Sequence, residues 1–221
     1  MWNDTELQRD VESELAWELR AGLKQISVAV KGGAVELAGH VDTYWERCAA
    51  ETAAWRVNHV NRVTNHIRVD LPFPSQRADD DIALAAMGIL EWNGLVPDTV
   101  QVQVANAKVT LSGSVERQQQ RDEAERVLRA LIGITELRNE VVIQPNGGAL
   151  AENKSPIEAA LKRNSLADSN HIKVHVAHGV VTLRGAVRSR PEYEEALQCA
   201  WAAPGVVKID DHIQVGVAKG D

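Results

Sequence analysis

Val28-Ala-Val-Lys-Gly-Gly-Ala-Val-Glu-Leu-Ala-Gly39, Val102-Gln-Val-Ala-Asn-Ala-Lys-Val-Thr-Leu-Ser-Gly113 and Val174-His-Val-Ala-His-Gly-Val-Val-Thr-Leu-Arg-Gly185 align without a gap. Their closing glycines lie 74 and 72 residues apart. The register holds beyond each glycine. Val41, Val115 and Val187 follow two residues on; Val60, Ile134 and Val206 follow twenty-one on. Val63, Leu137 and Ile209 come next, then the alternating pairs Ile67/Val69, Val141/Ile143 and Ile213/Val215. Similarity among unrelated strands does not keep one register across an intervening helix, so the chain is read as three copies of one unit.

Each copy carries the same local signals. Val28, Val30, Val35 and Leu37 alternate, which marks half-buried strands, and the short turn at Gly32-Gly33 makes them a hairpin. Gly39, Gly113 and Gly185 end the second strand, where a positive φ or a close backbone approach suits glycine. Ala50, Ala53, Ala54 and Val57 then fall at helical spacing, as do Ala124, Val127, Leu128 and Leu131, and Ala196, Cys199, Ala200 and Ala203. Gly133 and Gly205 stand where those helices should stop; copy one has His59 there, which predicts an altered helix end. A further helix precedes each hairpin: Leu7, Val11 and Leu15 mark the first. Asp79-Asp80-Asp81 supplies charge and capping candidates for the second, and Ser155-Pro156 opens the third.

The expected fold is α+β. It comprises three tandem αββαβ domains at 1–71, 78–144 and 154–217, each a three-stranded mixed sheet packed against two helices. Linkers fall at 72–77 and 145–153, the first stiffened by proline and the second loosened by glycine. Copies of about 70 residues sit near the lower limit for a self-sufficient core, so neighbours are expected to lean on each other.

The pattern V-x-L-x-G-x-V, seen at Val35–Val41, Val109–Val115 and Val181–Val187, resembles the BON domain. Its second half is carried by Gly133-Ile134…Leu137-Arg-Asn139-Glu-Val141 and Gly205-Val206…Ile209-Asp-Asp211-His-Ile213. The resemblance covers nearly the whole chain and implies a non-enzymatic binding or scaffolding protein, stress-related. It implies two alternatives: a peripheral phospholipid-binding protein, and a sensor of a small ion such as potassium. It implies no cofactor and no catalytic residue. The motif residues are apolar or turn-forming and specify a fold rather than a reaction.

Composition narrows the partners. A net charge of −7 opposes nucleic-acid binding, which needs a basic surface, and weakens attraction to anionic lipid. The longest apolar stretches are too short for a transmembrane segment, and Met1-Trp2-Asn3-Asp4 shows no secretory signal. The expected location is cytoplasmic, or periplasmic if a leader is missing from the sequence. Cys48 and Cys199 lie at non-equivalent positions and are expected to be reduced thiols. His171, His175 and His178 span too far along a strand and turn to share one metal.

Six tryptophans are the strongest candidates for recognition. Trp55 and Trp201 each fall 16 residues after the motif glycine, and Arg129 holds that position in copy two. The position lies about 150° from the centre of the buried stripe, on the outer helix face. A large aromatic repeated there predicts a covered surface: packing between copies or chains, a protein partner or self-association, or a phospholipid surface. The candidate interaction surface is therefore Trp55, Trp201, Arg129 and Trp45, with Trp17 and Trp92 added to whichever face forms.

Overall fold

The computed structural model describes residues 3–19, 26–145, 154–163 and 172–216. Copy one contains α1 (Asp4–Leu19), β1 (Ile26–Lys31), β2 (Ala34–Val41), α2 (Tyr44–Arg56) and β3 (Arg62–Val69). Copy two contains α3 (Asp79–Trp92), β4 (Val100–Ala105), β5 (Lys108–Val115), α4 (Gln118–Leu128), β6 (Glu136–Asn139) and β7 (Val142–Ile143). Copy three contains α5 (Ser155–Arg163), β8 (Ile172–Ala177), β9 (Val180–Val187), α6 (Arg190–Trp201) and β10 (Lys208–Val215).

Each hairpin is antiparallel, and the last strand returns parallel to the second, as the intervening helix requires. The second strand is therefore central, and its alternate side chains reach the middle of each core. Val35 and Leu37, Val109 and Leu111, and Val181 and Leu183 are all at most 1% exposed. Burying each such side chain stabilises by about 1.5–3 kcal/mol. The first helices close the other side through Leu7, Val11 and Leu15, through Ile82, Ala86 and Leu90, and through Ile157 and Leu161.

The hairpin turns have two consecutive positive φ angles, at Gly32-Gly33, Asn106-Ala107 and His178-Gly179. That backbone matches the twist of antiparallel strands. The acidic residue opening the first helix holds this turn in two copies. Asp4 accepts from the Gly32 N–H, and Asp79 accepts from the N–H groups of Asn106 and Ala107 at 2.8 and 2.9 Å. Asp79 is thus not the cap anticipated from the acidic run; Ala78 occupies the cap position, without a side-chain bond. In copy three Ser155 opens the helix, and Lys154 just before it pairs with Glu158.

Copy two departs from the expected three-strand pattern. The third strand of copy two is divided into β6 and β7, and β7 also pairs with β5. In copy one, α2 ends in an extended residue, Val57, whereas α4 and α6 end in helical residues. His59 nevertheless keeps the positive φ of its glycine counterparts: 71°, against 100° at Gly133 and 79° at Gly205. The glycines at 39, 113 and 185 also have positive φ. At Gly113 an added Cβ would lie 2.1 Å from the Thr99 carbonyl oxygen.

Candidate interaction surface

The polar residue in each copy's third strand shows how one sequence position fixes geometry. Asn65, Asn139 and Asp211 each accept from the backbone N–H two residues on. Asn65 donates to the Arg47 carbonyl and Asn139 to the Arg121 carbonyl, joining strand to helix. Asp211 has no N–H to donate, so the partner inverts: the Tyr193 hydroxyl donates to its carboxylate at 2.6 Å. Tyr193 occupies the position of Arg47 and Arg121 in the repeat. Burial, reinforced by the adjacent carboxylate, pushes the Tyr193 phenol up to about 12.

With the second helices so anchored, their outer faces meet across the copies. Trp55 is half-buried against the core of copy one, and the Arg190 guanidinium of copy three lies 4.3 Å from its ring centroid. Arg190 is also 4.5 Å from the Tyr193 ring and pairs with Glu194 at 2.9 Å. The cation is thus held between two aromatic faces. A cavity of about 580 Å³ adjoins this contact, lined from copy one by Trp55, His59 and Asn61 and from copy three by Arg188, Arg190 and Pro191.

Copies one and two meet through Tyr44, which packs against the core of copy two. Burial pushes the Tyr44 phenol and the adjoining Cys48 thiol up from their ordinary values and so disfavours their ionisation, while Glu125 and Arg129 of copy two act on this pair electrostatically. A thiol raised in this way stays protonated and is a poor nucleophile. Arg129 pairs with Glu125 at 2.8 Å and keeps 45% of its side chain exposed. An apolar cavity of about 300 Å³ opens beside the contact, lined by Tyr44, Trp45, Leu71, Leu131, Ile132 and Ile134. Trp45 stands at its edge, 46% exposed.

Copies two and three meet through Trp201, which packs against the cores of both, with Val207 beside it. The three candidate positions Trp55, Arg129 and Trp201 therefore lie at three different seams. The first reaches copy three, the second faces copy one and the third reaches copy two. Trp55 meets Arg190, five residues after its motif glycine; Arg129 faces Tyr44, five after its own. The contacts thus run head to tail and close into a cycle. Arg190 and Tyr44 were not among the residues singled out from sequence, because one position holds Tyr44, Gln118 and Arg190 and repeats no chemical type.

His175 and His178 are exposed on β8 and its turn, and His171 lies outside the described residues. Among the described residues no group of three or more His, Cys, Asp or Glu is placed to hold a metal ion. Cys48 and Cys199 are half-buried, and the Cys199 thiol donates to the Glu195 carboxylate at 3.8 Å. No helix among the described residues is long and apolar enough to cross a membrane.

Comparison with known proteins agrees with the repeat. The family described as BON domain matches residues 3–70, 78–145 and 150–217. The chain is 28% identical over 145 residues to osmotically-inducible protein Y of Escherichia coli (strain K12), a span of 61% of this chain and 72% of that protein. Among solved structures it is similar to the C-terminal domain of CdsD, the structural protein of the type III secretion system of Chlamydia trachomatis. There the identity is 14%, covering 95% of this chain and 98% of that one, with a TM-score of 0.24. It is similar to the periplasmic domain of the inner membrane protein PrgH from S. typhimurium at 17% identity, covering 90% and 99%, also with a TM-score of 0.24. Structural likeness at that score adds nothing to the assignment, which rests on the three sequence matches. The chain belongs to the BON domain family and carries the domain three times.

Proposed function

We propose that this chain is a non-enzymatic binding protein of a stress response, in which three BON domains are held as one platform. The observation that carries this reading is the head-to-tail cycle. The side chains that differ between copies, Trp55, Arg190, Tyr44, Arg129 and Trp201, are spent on the seams. The shared positions build the cores, which leaves the outer faces of the first helices for recognition. The osmotic inducibility named for the Escherichia coli relative supports stress as the setting.

A strain lacking the chain should recover slowly after a hyperosmotic shift. The wild-type chain should restore recovery, and Trp55→Ala/Arg190→Ala should restore it poorly. Normal recovery in its absence would remove the stress role. Substrate turnover abolished by mutating one clustered set of residues would remove the non-enzymatic one. A second reading, peripheral phospholipid binding, is favoured by the exposed indoles of Trp17 and Trp92, 76% and 91% exposed. Co-sedimentation with anionic and zwitterionic vesicles tests it, and the absence of binding to both disposes of it.

A further inference from the structure

Helix α3 is apolar on two faces, and only one is used by the fold. Ile82, Ala86 and Leu90 are buried in the core of copy two. Leu84, Met87 and Trp92 project from the other side at 65%, 42% and 91% exposure, and Leu95 continues the patch just beyond the helix at 66%. At 100° per residue Met87 and Trp92 lie about 60° and 80° to either side of Leu84. A surface helix ordinarily carries polar residues there, and a contiguous exposed apolar face marks an interaction site. Gly88 lies within the same face, and a Cβ added to it meets nothing within 4 Å. The face therefore has an open notch at its centre.

Its charge is one-sided. Residues 79–99 hold Asp79, Asp80, Asp81, Glu91 and Asp98 and contain no Lys or Arg. Asp79 is engaged by the hairpin turn, whereas Asp80, Asp81, Glu91 and Asp98 are exposed. Copy one repeats part of this arrangement. Trp17 stands two residues after buried Leu15 as Trp92 stands two after buried Leu90, and α1 carries six carboxylates against the single cation Arg9.

We propose that the outer face of α3 is the docking surface for a basic amphipathic segment of a partner protein. The inference rests on the binding-platform reading and names the partner's chemistry. Apolar side chains of the segment would cover Leu84, Met87 and Leu95 and fill the notch at Gly88. Its lysines and arginines would face Asp80, Asp81, Glu91 and Asp98, and one would sit over the Trp92 ring. An anionic bilayer is repelled by these carboxylates, and so is a second copy of the same face.

The test is fluorescence anisotropy of a labelled synthetic Leu/Lys amphipathic peptide of about 18 residues, five helical turns, titrated with the full chain. Leu/Glu and Ser/Lys peptides serve as comparisons. The Leu/Lys peptide should bind, more weakly as salt rises, and the other two at least about tenfold more weakly. Gly88→Lys and Trp92→Ala should each weaken binding by about tenfold or more. Gly88→Ala and Gly88→Lys should both melt no lower than wild type, which separates docking from folding.

Equal binding by wild type, Gly88→Lys and Trp92→Ala would overturn the proposal, as would equal binding of the Leu/Lys and Ser/Lys peptides. Binding to vesicles but not to peptide overturns it in favour of a lipid surface. Loss of a dimer in Gly88→Lys, without peptide binding, overturns it in favour of self-association. An osmotic phenotype that persists with no peptide binding removes this inference and leaves the platform reading standing.

Discussion

The same chemical change, one methyl group added to a glycine, should move stability in opposite directions at two places in copy two. Gly113 has φ +109° and pairs with Val100 in the β4–β5 ladder. A Cβ there would sit 2.1 Å from the Thr99 carbonyl oxygen and 3.1 Å from its carbon. Both atoms are backbone, so relief requires the start of β4 to move. The unfavourable φ alone costs of order 1–3 kcal/mol, and the displaced strand end raises the expected cost of Gly113→Ala to at least about 3 kcal/mol. At Gly88 the added methyl meets nothing, and a helix interior favours alanine over glycine by about 0.8–1 kcal/mol. If the chain unfolds as one unit of its length, 1 kcal/mol corresponds to roughly 2–4 °C. Gly113→Ala should therefore lower the melting temperature by roughly 6–12 °C or more, and Gly88→Ala should raise it by roughly 2–4 °C. Thermal unfolding followed by circular dichroism, with both variants beside wild type, reads the difference directly. Shifts of the same sign, or a Gly113→Ala shift below about 3 °C, would refute the reasoning from backbone geometry.

Three further outcomes are expected. A double-mutant cycle on Trp55→Leu and Arg190→Gln in urea should give a coupling of about 1 kcal/mol, since Arg190 is 29% exposed and stacks at 4.3 Å; a value near zero would separate this contact from the seam's stability. Ala107→Gly should stabilise by about 0.5–1 kcal/mol in the same assay, because Ala107 holds φ +58° in a turn that glycine tolerates freely. Tyr193 is raised from 10 to about 12, so its neutral form is favoured on folding. Its contribution is complete below pH 10 and is lost as the pH rises towards 12, and Tyr193→Phe should flatten that part of a stability–pH curve measured by urea unfolding.

The repeat was legible because its signal is apolar and periodic. Val35, Val109 and Val181, with Leu37, Leu111 and Leu183, occupy the same buried sites in all three copies. Burial tolerates little change at such positions, so the alignment shows them directly. The seams were legible only on one side. Trp55 and Trp201 stand out as repeated large aromatics on an outer helix face, but their recipients do not repeat. Tyr44, Gln118 and Arg190 share a position and no chemistry, so no periodicity points to them. Trp45, grouped with Trp55 in one candidate surface, borders a different cavity, the apolar one between copies one and two. Asp79 looked like a helix cap from composition alone. Its actual partners are turn N–H groups 27 and 28 residues away, a tertiary contact that local sequence does not encode.

The differing chemistry of the three seams has a consequence for assembly. A contact that joins unlike surfaces head to tail grows into open filaments unless the rotation closes it. Here the chain supplies its own three members, and each junction has a separate address: a stacked cation at Trp55, a polar cluster at Arg129 and an apolar wedge at Trp201. A copy from a neighbouring molecule that entered the wrong junction would bring an unmatched group, such as Arg129 where an indole belongs. Duplication would have given three interchangeable parts. Their divergence at two helix positions gives each copy a preferred neighbour and discourages junctions out of order.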